Sequence, residues 1–414
     1  ESIVEVCREH QRLRDAGATR QEILRGLARV AGTYVPSLYE IRYDEPCTEH
    51  GYAVPREGED VPEVVYKRVV EDFGATDPLS QSVIPYAQLV HDRLSVEVLR
   101  GCARGCRFCQ AGITYRPVRE RSADQIVSAV TRGLAKTGYD EVSLTSLSTT
   151  DHSCCEQILS RLNRRLEDTG ISVSIPSQRL DSFGVNMALQ VAGEKKGGLT
   201  FAPEAGSQRM RDVINKGLTE EIILKGAAEA FHGGWNRVKL YFMLGLPTET
   251  REDMEGIALL SEKVAELYYD EIPKEQRNGK VQVVASSSFF VPKPFTPFQW
   301  AGMYREEDFV EKAKVVKSEI RAQLNQRSIR YSWHEPDVTI LEGFLARGDR
   351  RCSKVILRAY EKGAIYDAWS ESFDYNIWKE SFAETNTDID FYTLRERSTD
   401  EILPWDFIDA GVSK

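Results

Sequence analysis

Cys102, Cys106 and Cys109 lie in the run Arg100-Gly-Cys-Ala-Arg-Gly-Cys-Arg-Phe-Cys-Gln-Ala-Gly112, a Cys-x₃-Cys-x₂-Cys spacing. Three thiolates within eight positions can face one metal centre only from a tight loop, and two glycines, Gly101 and Gly105, help to form it. Such soft ligands select zinc or an iron–sulfur cluster. Closed zinc sites and ordinary four-iron clusters take four protein ligands. A four-iron cluster held by these three residues therefore keeps one iron open to another ligand. The alternatives are a three-cysteine zinc site completed by a distant histidine, or thiols that bind nothing.

The rest of the chain must position that loop. Its 414 residues are 41% hydrophobic and 29% charged, ordinary for a globular protein with one large core or two modest ones. No apolar run approaches the roughly 18 residues of a membrane span, and no signal peptide is visible. The first residue is Glu1 rather than Met, which suits a processed or excised segment. The other cysteines, Cys7, Cys47, Cys154, Cys155 and Cys352, show no second Cys-x₂-Cys pairing. One oxygen-sensitive motif and no disulfide framework imply a reducing cytoplasm. A net charge of −10 argues against a broad basic face for nucleic acid. Residues 100–121 nevertheless carry six arginines against one acid, Glu120. They balance an anionic thiolate-ligated cluster, or they attract an acidic electron donor or an anionic substrate.

The pattern divides the chain into three segments. Residues 1–90 read as linker helices and an extended arm, with Thr19-x-x-Glu22 as a capping box. Residues 91–304 alternate strands over 95–99, 141–147, 171–175, 198–201, 237–244 and 281–290 with helices. Ser122-x-x-Gln125, Ser153-x-x-Glu156 and Thr250-x-x-Asp253 open three of those helices. This rhythm predicts an α/β fold whose parallel sheet curves into a partial (β/α)6 TIM-type barrel. The cysteine loop follows the first strand, at the carboxyl end where such folds place their chemistry. After about residue 305 the rhythm stops, and residues 305–414 read as a mostly helical, aromatic-rich accessory region.

The cysteine spacing, with Phe108 just before the third cysteine, resembles the radical S-adenosylmethionine (radical SAM) superfamily. Its members bind a [4Fe-4S] cluster whose open iron chelates S-adenosylmethionine, and they cleave that sulfonium to a 5′-deoxyadenosyl radical. The resemblance implies that Cys102, Cys106 and Cys109 are the cluster ligands and that later strand ends hold S-adenosylmethionine. Hydroxyls of Ser146 and Ser148 in Ser146-Leu-Ser-Thr-Thr-Asp151 take the place of a Gly-Gly-Glu-like turn, which this chain lacks; helix capping by Asp151 or Ser153 is the alternative. Arg179 is a candidate fork to the methionyl carboxylate, or a structural partner of Asp181. Glu204 and Ser207 stand in Phe201-Ala-Pro-Glu-Ala-Gly-Ser-Gln-Arg209, which resembles a Glu-x-Gly-Ser segment that contacts ribose or the amino group. Lys239, Gly245 and Pro247 belong to a stretch resembling the Gly-Leu-Pro-x-Glu signature at the adenine. Lys293 and Gln299, in a Pro- and Thr-rich turn after the sixth strand, are expected to face the same cavity.

Over about residues 60–414 the chain resembles one branch, an uncharacterised cobalamin-binding-type radical SAM family with an N-terminal cobalamin-binding-like domain. That domain is not in this sequence, and no Asp-x-His-x-x-Gly signature occurs. The resemblance implies a flavodoxin- or ferredoxin-type electron donor and an unknown substrate. Two enzymatic outcomes compete: methyl transfer or rearrangement with cobalamin carried on an upstream domain, and modification of RNA or a small molecule without cobalamin. An iron–sulfur or zinc-binding module is the non-catalytic alternative.

Overall fold

The computed structural model describes residues 2–43, 50–76, 83–87, 89–176 and 199–412. Contacts divide them into two compact units, Glu71–Phe290 with Glu307–His334, and Glu1–Val70 with Val291–Glu306 and Glu335–Lys414. The three successive segments expected from sequence are thus rearranged. The N-terminal arm shares a unit with the C-terminal region, and residues 307–334 join the β/α unit.

In the β/α unit the chain runs β1 (Leu94–Glu97), α1 (Gln110–Thr114), α2 (Ala123–Thr137), β2 (Glu141–Thr145), α3 (Cys155–Leu166) and β3 (Ser172–Ser174). It continues through β4 (Leu199–Glu204), α4 (Gln208–Val213), α5 (Glu220–His232), β5 (Arg237–Leu244) and α6 (Arg251–Glu271). β6 (Gln282–Phe289), α7 (Glu306–Ala322) and β7 (Ile329–Trp333) complete it. All pairings in the two sheets, β1-β2-β3 and β4-β5-β6-β7, are parallel and join strands consecutive in sequence. This is the order of an open, partial barrel. β7 is a strand of the parallel sheets that sequence reading missed. It is an edge strand in which only Ile329 is buried, so it lacks the apolar run of an inner parallel strand.

Packing follows the sequence periodicities. Ile126, Val127 and Val130 of α2 and Ile158, Leu159 and Leu162 of α3 bury against Leu94, Val96, Val142 and Leu144. β5 alternates instead, burying Val238, Leu240, Phe242 and Leu244 while Lys239 and Tyr241 stay partly open on its other face. The Ser122–Gln125 box opens α2, with Gln125 N–H donating to Ser122 Oγ at 3.2 Å and Ser122 N–H to Gln125 Oε1 at 2.9 Å. α3 departs from expectation. Its first residue is Cys155, and Ser153 turns instead to the carboxylate of Glu120, donating through N–H at 3.0 Å and Oγ at 2.5 Å.

The second unit joins the helices Ser2–Asp15 and Arg20–Ala28 to a helical region packed around Phe344, Trp378, Phe382 and Tyr392. Strands Val65–Tyr66 and Ile408–Asp409 pair within it. The turn after β6 belongs here too. Gln299, only 4% exposed, accepts from Trp405 Nε1 at 2.8 Å and from the Phe295 N–H at 2.9 Å, while Lys293 pairs with Glu342. The expectation that Lys293 and Gln299 face a cofactor cavity is therefore corrected: both are engaged inside this unit. Among the described residues no helix is long and apolar enough to cross a membrane.

Candidate metal centre and cofactor site

The cysteine loop leaves the sheet just past β1. Gly101 allows the turn, with φ of +92° and no room for a side chain, since a Cβ would meet the Tyr115 carbonyl oxygen at 2.7 Å. Cys109 N–H donates to the Cys106 carbonyl at 3.1 Å, and Cys109 Sγ caps α1 by accepting the Gly112 N–H at 3.3 Å. All three cysteines stand outside any disulfide and are partly exposed. Cys155 and Cys352 are buried, and burial pushes each thiol up to about 11, which suppresses thiolate chemistry. Cys47 lies outside the described residues.

Among the described residues no three Cys, His, Asp or Glu side chains converge closely enough to hold one metal ion. A cluster asks less convergence of its ligands than a single ion, because each thiolate binds its own iron. The donor set, three accessible thiols on one loop, fits a cluster with an open iron.

Two further strand ends attach to this loop. From the β2 side, Arg104 forks onto Asp151 at 2.5 and 3.1 Å. Ser148 Oγ donates to the same carboxylate at 2.7 Å, Ser146 Oγ lies 2.9 Å from Thr149 Oγ1, and Ser146 Oγ accepts the Ser148 N–H at 3.0 Å. Ser146 and Ser148 thus stand beside the cysteine loop, with hydroxyls already engaged. From the β4 side, Asn215 donates to the Gly105 carbonyl at 2.8 Å and Arg107 N–H to the Ile214 carbonyl at 2.9 Å. The next residue, Lys216, pairs with Glu204 at 3.0 Å. Glu204 is 17% exposed at the carboxyl end of β4, with φ of +69°, a left-handed conformation that costs a non-glycine residue about 1 kcal/mol or more. Such strain concentrates at functional sites.

Two expected contacts are revised. Ser207 caps α4, accepting the Met210 N–H at 3.1 Å, and its single O–H goes to Asp253 at 2.5 Å. Between Glu204 and Ser207, Gly206 gives close approach to α6, where a Cβ would sit 2.1 Å from Ile257 N. Lys239 lies near the amino end of β5 with its ammonium 4.5 Å from the Tyr241 ring centroid. Six residues of strand, about 20 Å, separate it from Gly245, so it stands far from the rim that carries the cysteines. At that rim, Gly245 (φ +80°) donates its N–H to Glu249 Oε2 at 2.9 Å. Glu249 is 3% exposed; burial raises its pKa, opposed by Lys312 at 3.1 Å. The Gly-Leu-Pro-Thr-Glu turn containing Pro247 is therefore closed by its own glutamate. Arg179 lies outside the described residues.

The arginines of 100–121 mostly brace this region. Arg100 pairs with Glu97, Arg116 donates to the Arg104 carbonyl, Arg119 to Tyr115 and Pro117, and buried Arg121 to Thr76 and Glu97. Arg107 is the exposed member. Sequence reading also missed Arg211, fully buried with its guanidinium on the carbonyls of Ala205, Gly206 and Leu218. No acid at helical spacing announces it, because its partners are three backbone carbonyls and the neutral Gln208 side chain at 3.1 Å.

Two predictions concern this scaffold. Gly206→Ala drives a Cβ into the α6 backbone, which cannot move aside like a side chain. Stability should fall by about 3 kcal/mol, the upper end for overpacking, and a denaturant midpoint equal to wild type would contradict the contact. Asp253 is 5% exposed. Burial alone would raise its pKa, but Arg209, Ser207 and Thr250 outweigh that and hold it at about 2. A depressed carboxylate stabilises the fold fully above the unfolded value near 3.8, and the contribution vanishes as pH falls to about 2. It amounts to about 2 kcal/mol. Urea melts of wild type and Asp253→Asn should accordingly differ at pH 6 and converge toward pH 2; a constant gap would show the carboxylate is not the cause.

Residues 96–260 match the Radical SAM superfamily. The uncharacterized protein MJ0966 of Methanocaldococcus jannaschii is 33% identical over 261 residues, 63% of this chain and 53% of that protein. The uncharacterized methyltransferase PH0819 of Pyrococcus horikoshii is 24% identical over 170 residues, 40% of this chain and 36% of that protein. The chain thus spans about half the length of the first relative and about a third of the second. Among solved structures, the radical S-adenosylmethionine methyltransferase TsrM from Kitasatospora setae, with cobalamin and a [4Fe-4S] cluster bound, aligns with a TM-score of 0.38. That alignment has 16% identity and covers 50% of this chain and 38% of that one.

Proposed function

With residues 96–260 a radical SAM domain, we propose that this chain holds a [4Fe-4S] cluster through Cys102, Cys106 and Cys109 and reductively cleaves S-adenosylmethionine. When bound, the cluster supplies the electron that breaks the sulfonium C–S bond to give methionine and a 5′-deoxyadenosyl radical. The observation that carries this reading is the set of three accessible thiols on one loop past β1, tied to the ends of β2 and β4. Glu204 would accept the ribose hydroxyls, and the backbone from Gly245 to Pro247 would border the adenine. Ser146 and Ser148 would face the amino group, and Arg179 is assigned to the methionyl carboxylate on resemblance alone. Anaerobic reconstitution followed by dithionite should yield one four-iron cluster per chain and 5′-deoxyadenosine. Stoichiometric zinc, or a cluster with no S-adenosylmethionine cleavage, would return the chain to the non-catalytic alternatives.

A flavodoxin- or ferredoxin-type donor in a reducing cytoplasm is the proposed electron source. Methyl transfer is the proposed outcome, supported by the name of the Pyrococcus horikoshii relative, with cobalamin on a domain outside these 414 residues. S-adenosylmethionine carrying a labelled methyl group, incubated with and without added cobalamin, tests it. Cobalamin-independent deoxyadenosine formation with no labelled methyl transferred would favour hydrogen abstraction instead.

A further inference from the structure

The cysteine loop is held at several points: the Cys109–Cys106 backbone bond, the Arg104 fork to Asp151 and the Arg116 bond to the Arg104 carbonyl. A further set of fixings reaches the turn after α4, more than 100 residues on. Three bonds converge there. Asn215 Nδ2 donates to the Gly105 carbonyl at 2.8 Å, Arg107 N–H to Ile214 at 2.9 Å, and the Arg107 guanidinium to Val213 at 2.6 Å. The fit at Gly105 is tight, since a Cβ there would lie 2.8 Å from Asn215 Nδ2. Asn215 has φ of +53°, a left-handed conformation that asparagine adopts more readily than most residues. The turn itself is stiff: Lys216 N–H bonds the Arg211 carbonyl at 2.9 Å, and buried Arg211 grips the segment from both ends. Lys216 then carries Glu204 at 3.0 Å. One turn therefore touches the loop with the thiols on one side and the strained carboxylate on the other.

From this juxtaposition we propose that Asn215 is a positioning residue. It holds the cysteine loop in its ligand-receiving form before the cluster arrives, and through Lys216 it keeps that loop in register with Glu204. The proposal rests on Cys102, Cys106 and Cys109 being the cluster ligands and adds the residue that prepares them. The physical advantage is entropic, because fixing a free backbone costs about 1–2 kcal/mol per residue and a loop already fixed does not meet that cost during insertion.

Two variants separate the amide from the backbone. Asn215→Gly keeps the left-handed conformation and deletes the donor. Asn215→Asp keeps the shape but aims an acceptor at the Gly105 carbonyl. The probe is the metal-free full chain, followed by hydrogen exchange with mass-spectrometric readout over residues 101–112, and then by the anaerobic rate of iron and sulfide uptake. Both variants should exchange about tenfold faster at the Arg107 and Cys109 amides, as expected for one lost hydrogen bond, with β5 unchanged. Initial cluster uptake should slow by about threefold or more on the same reasoning. Gly105→Ala, which pushes against the same amide, should reproduce both effects and serves if an Asn215 variant folds poorly. Unchanged exchange overturns the clasp. Faster exchange with unchanged uptake overturns the positioning role and leaves a structural contact. A wild-type chain that takes up no iron refutes the cluster reading and this role with it, whereas normal wild-type uptake beside indifferent variants refutes the role alone.

Discussion

Changing any one of Cys102, Cys106 or Cys109 to alanine should abolish both the cluster absorbance after anaerobic reconstitution and the formation of 5′-deoxyadenosine. The effect is expected to be complete because the loop carries no fourth thiol. A cluster that already leaves one iron open cannot lose a second ligand without losing the site. Three of the other described cysteines are poorly placed to substitute. Cys155 and Cys352 are buried with thiols pushed up to about 11, and Cys154 precedes α3 rather than lying in the loop. Changing Cys154 and Cys155 together to serine should therefore leave iron content at four per chain. Iron near eight per chain in wild type, or a single-cysteine variant that still cleaves S-adenosylmethionine, would refute the assignment.

Glu204→Gln should weaken S-adenosylmethionine binding about ten- to hundredfold with the cluster still present. The exchange preserves shape but removes a charged acceptor, and hydrogen bonds to charged groups are worth about 1.5–3 kcal/mol. Because Glu204 also pairs with Lys216 at 3.0 Å, a control is needed to separate direct contact from lost support. Lys216→Gln breaks the same ion pair while leaving the carboxylate in place. Direct contact predicts that Glu204→Gln loses clearly more affinity than Lys216→Gln, measured by equilibrium binding to the reconstituted variants. Equal losses would make Glu204 a structural partner of Lys216, and undiminished binding would remove it from the site.

Local signals were legible where short-range physics decides them. The capping box at Ser122 formed as written because Ser122 and Gln125 are three residues apart and satisfy each other. The six apolar strand segments became parallel strands because each buries side chains beneath flanking helices. β7 escaped because an edge strand needs only one buried residue, Ile329. Ser153 was misread as a cap because Glu120, distant in sequence, offers its hydroxyl a charged acceptor. Lys293 and Gln299 were misplaced because the turn after β6 joins the other unit, where Gln299 meets Trp405.

The sequence alone determined the chemistry on offer: three thiols at a spacing that suits one cluster, set after the first strand of a β/α series. Ligand type and spacing are local properties, and the alternation that places the loop at a strand end is a local periodicity. Only the tertiary structure decided which residues support those thiols. Asp151 reaches Arg104 and Asn215 reaches Gly105 because parallel strands bring their carboxyl ends to one rim, whatever the separation along the chain. The same geometry moved Lys239 to the far end of β5 and turned Gly206 toward α6. A motif records which residues occur together; the direction of a strand and the helix packed against it decide which of them can reach the site.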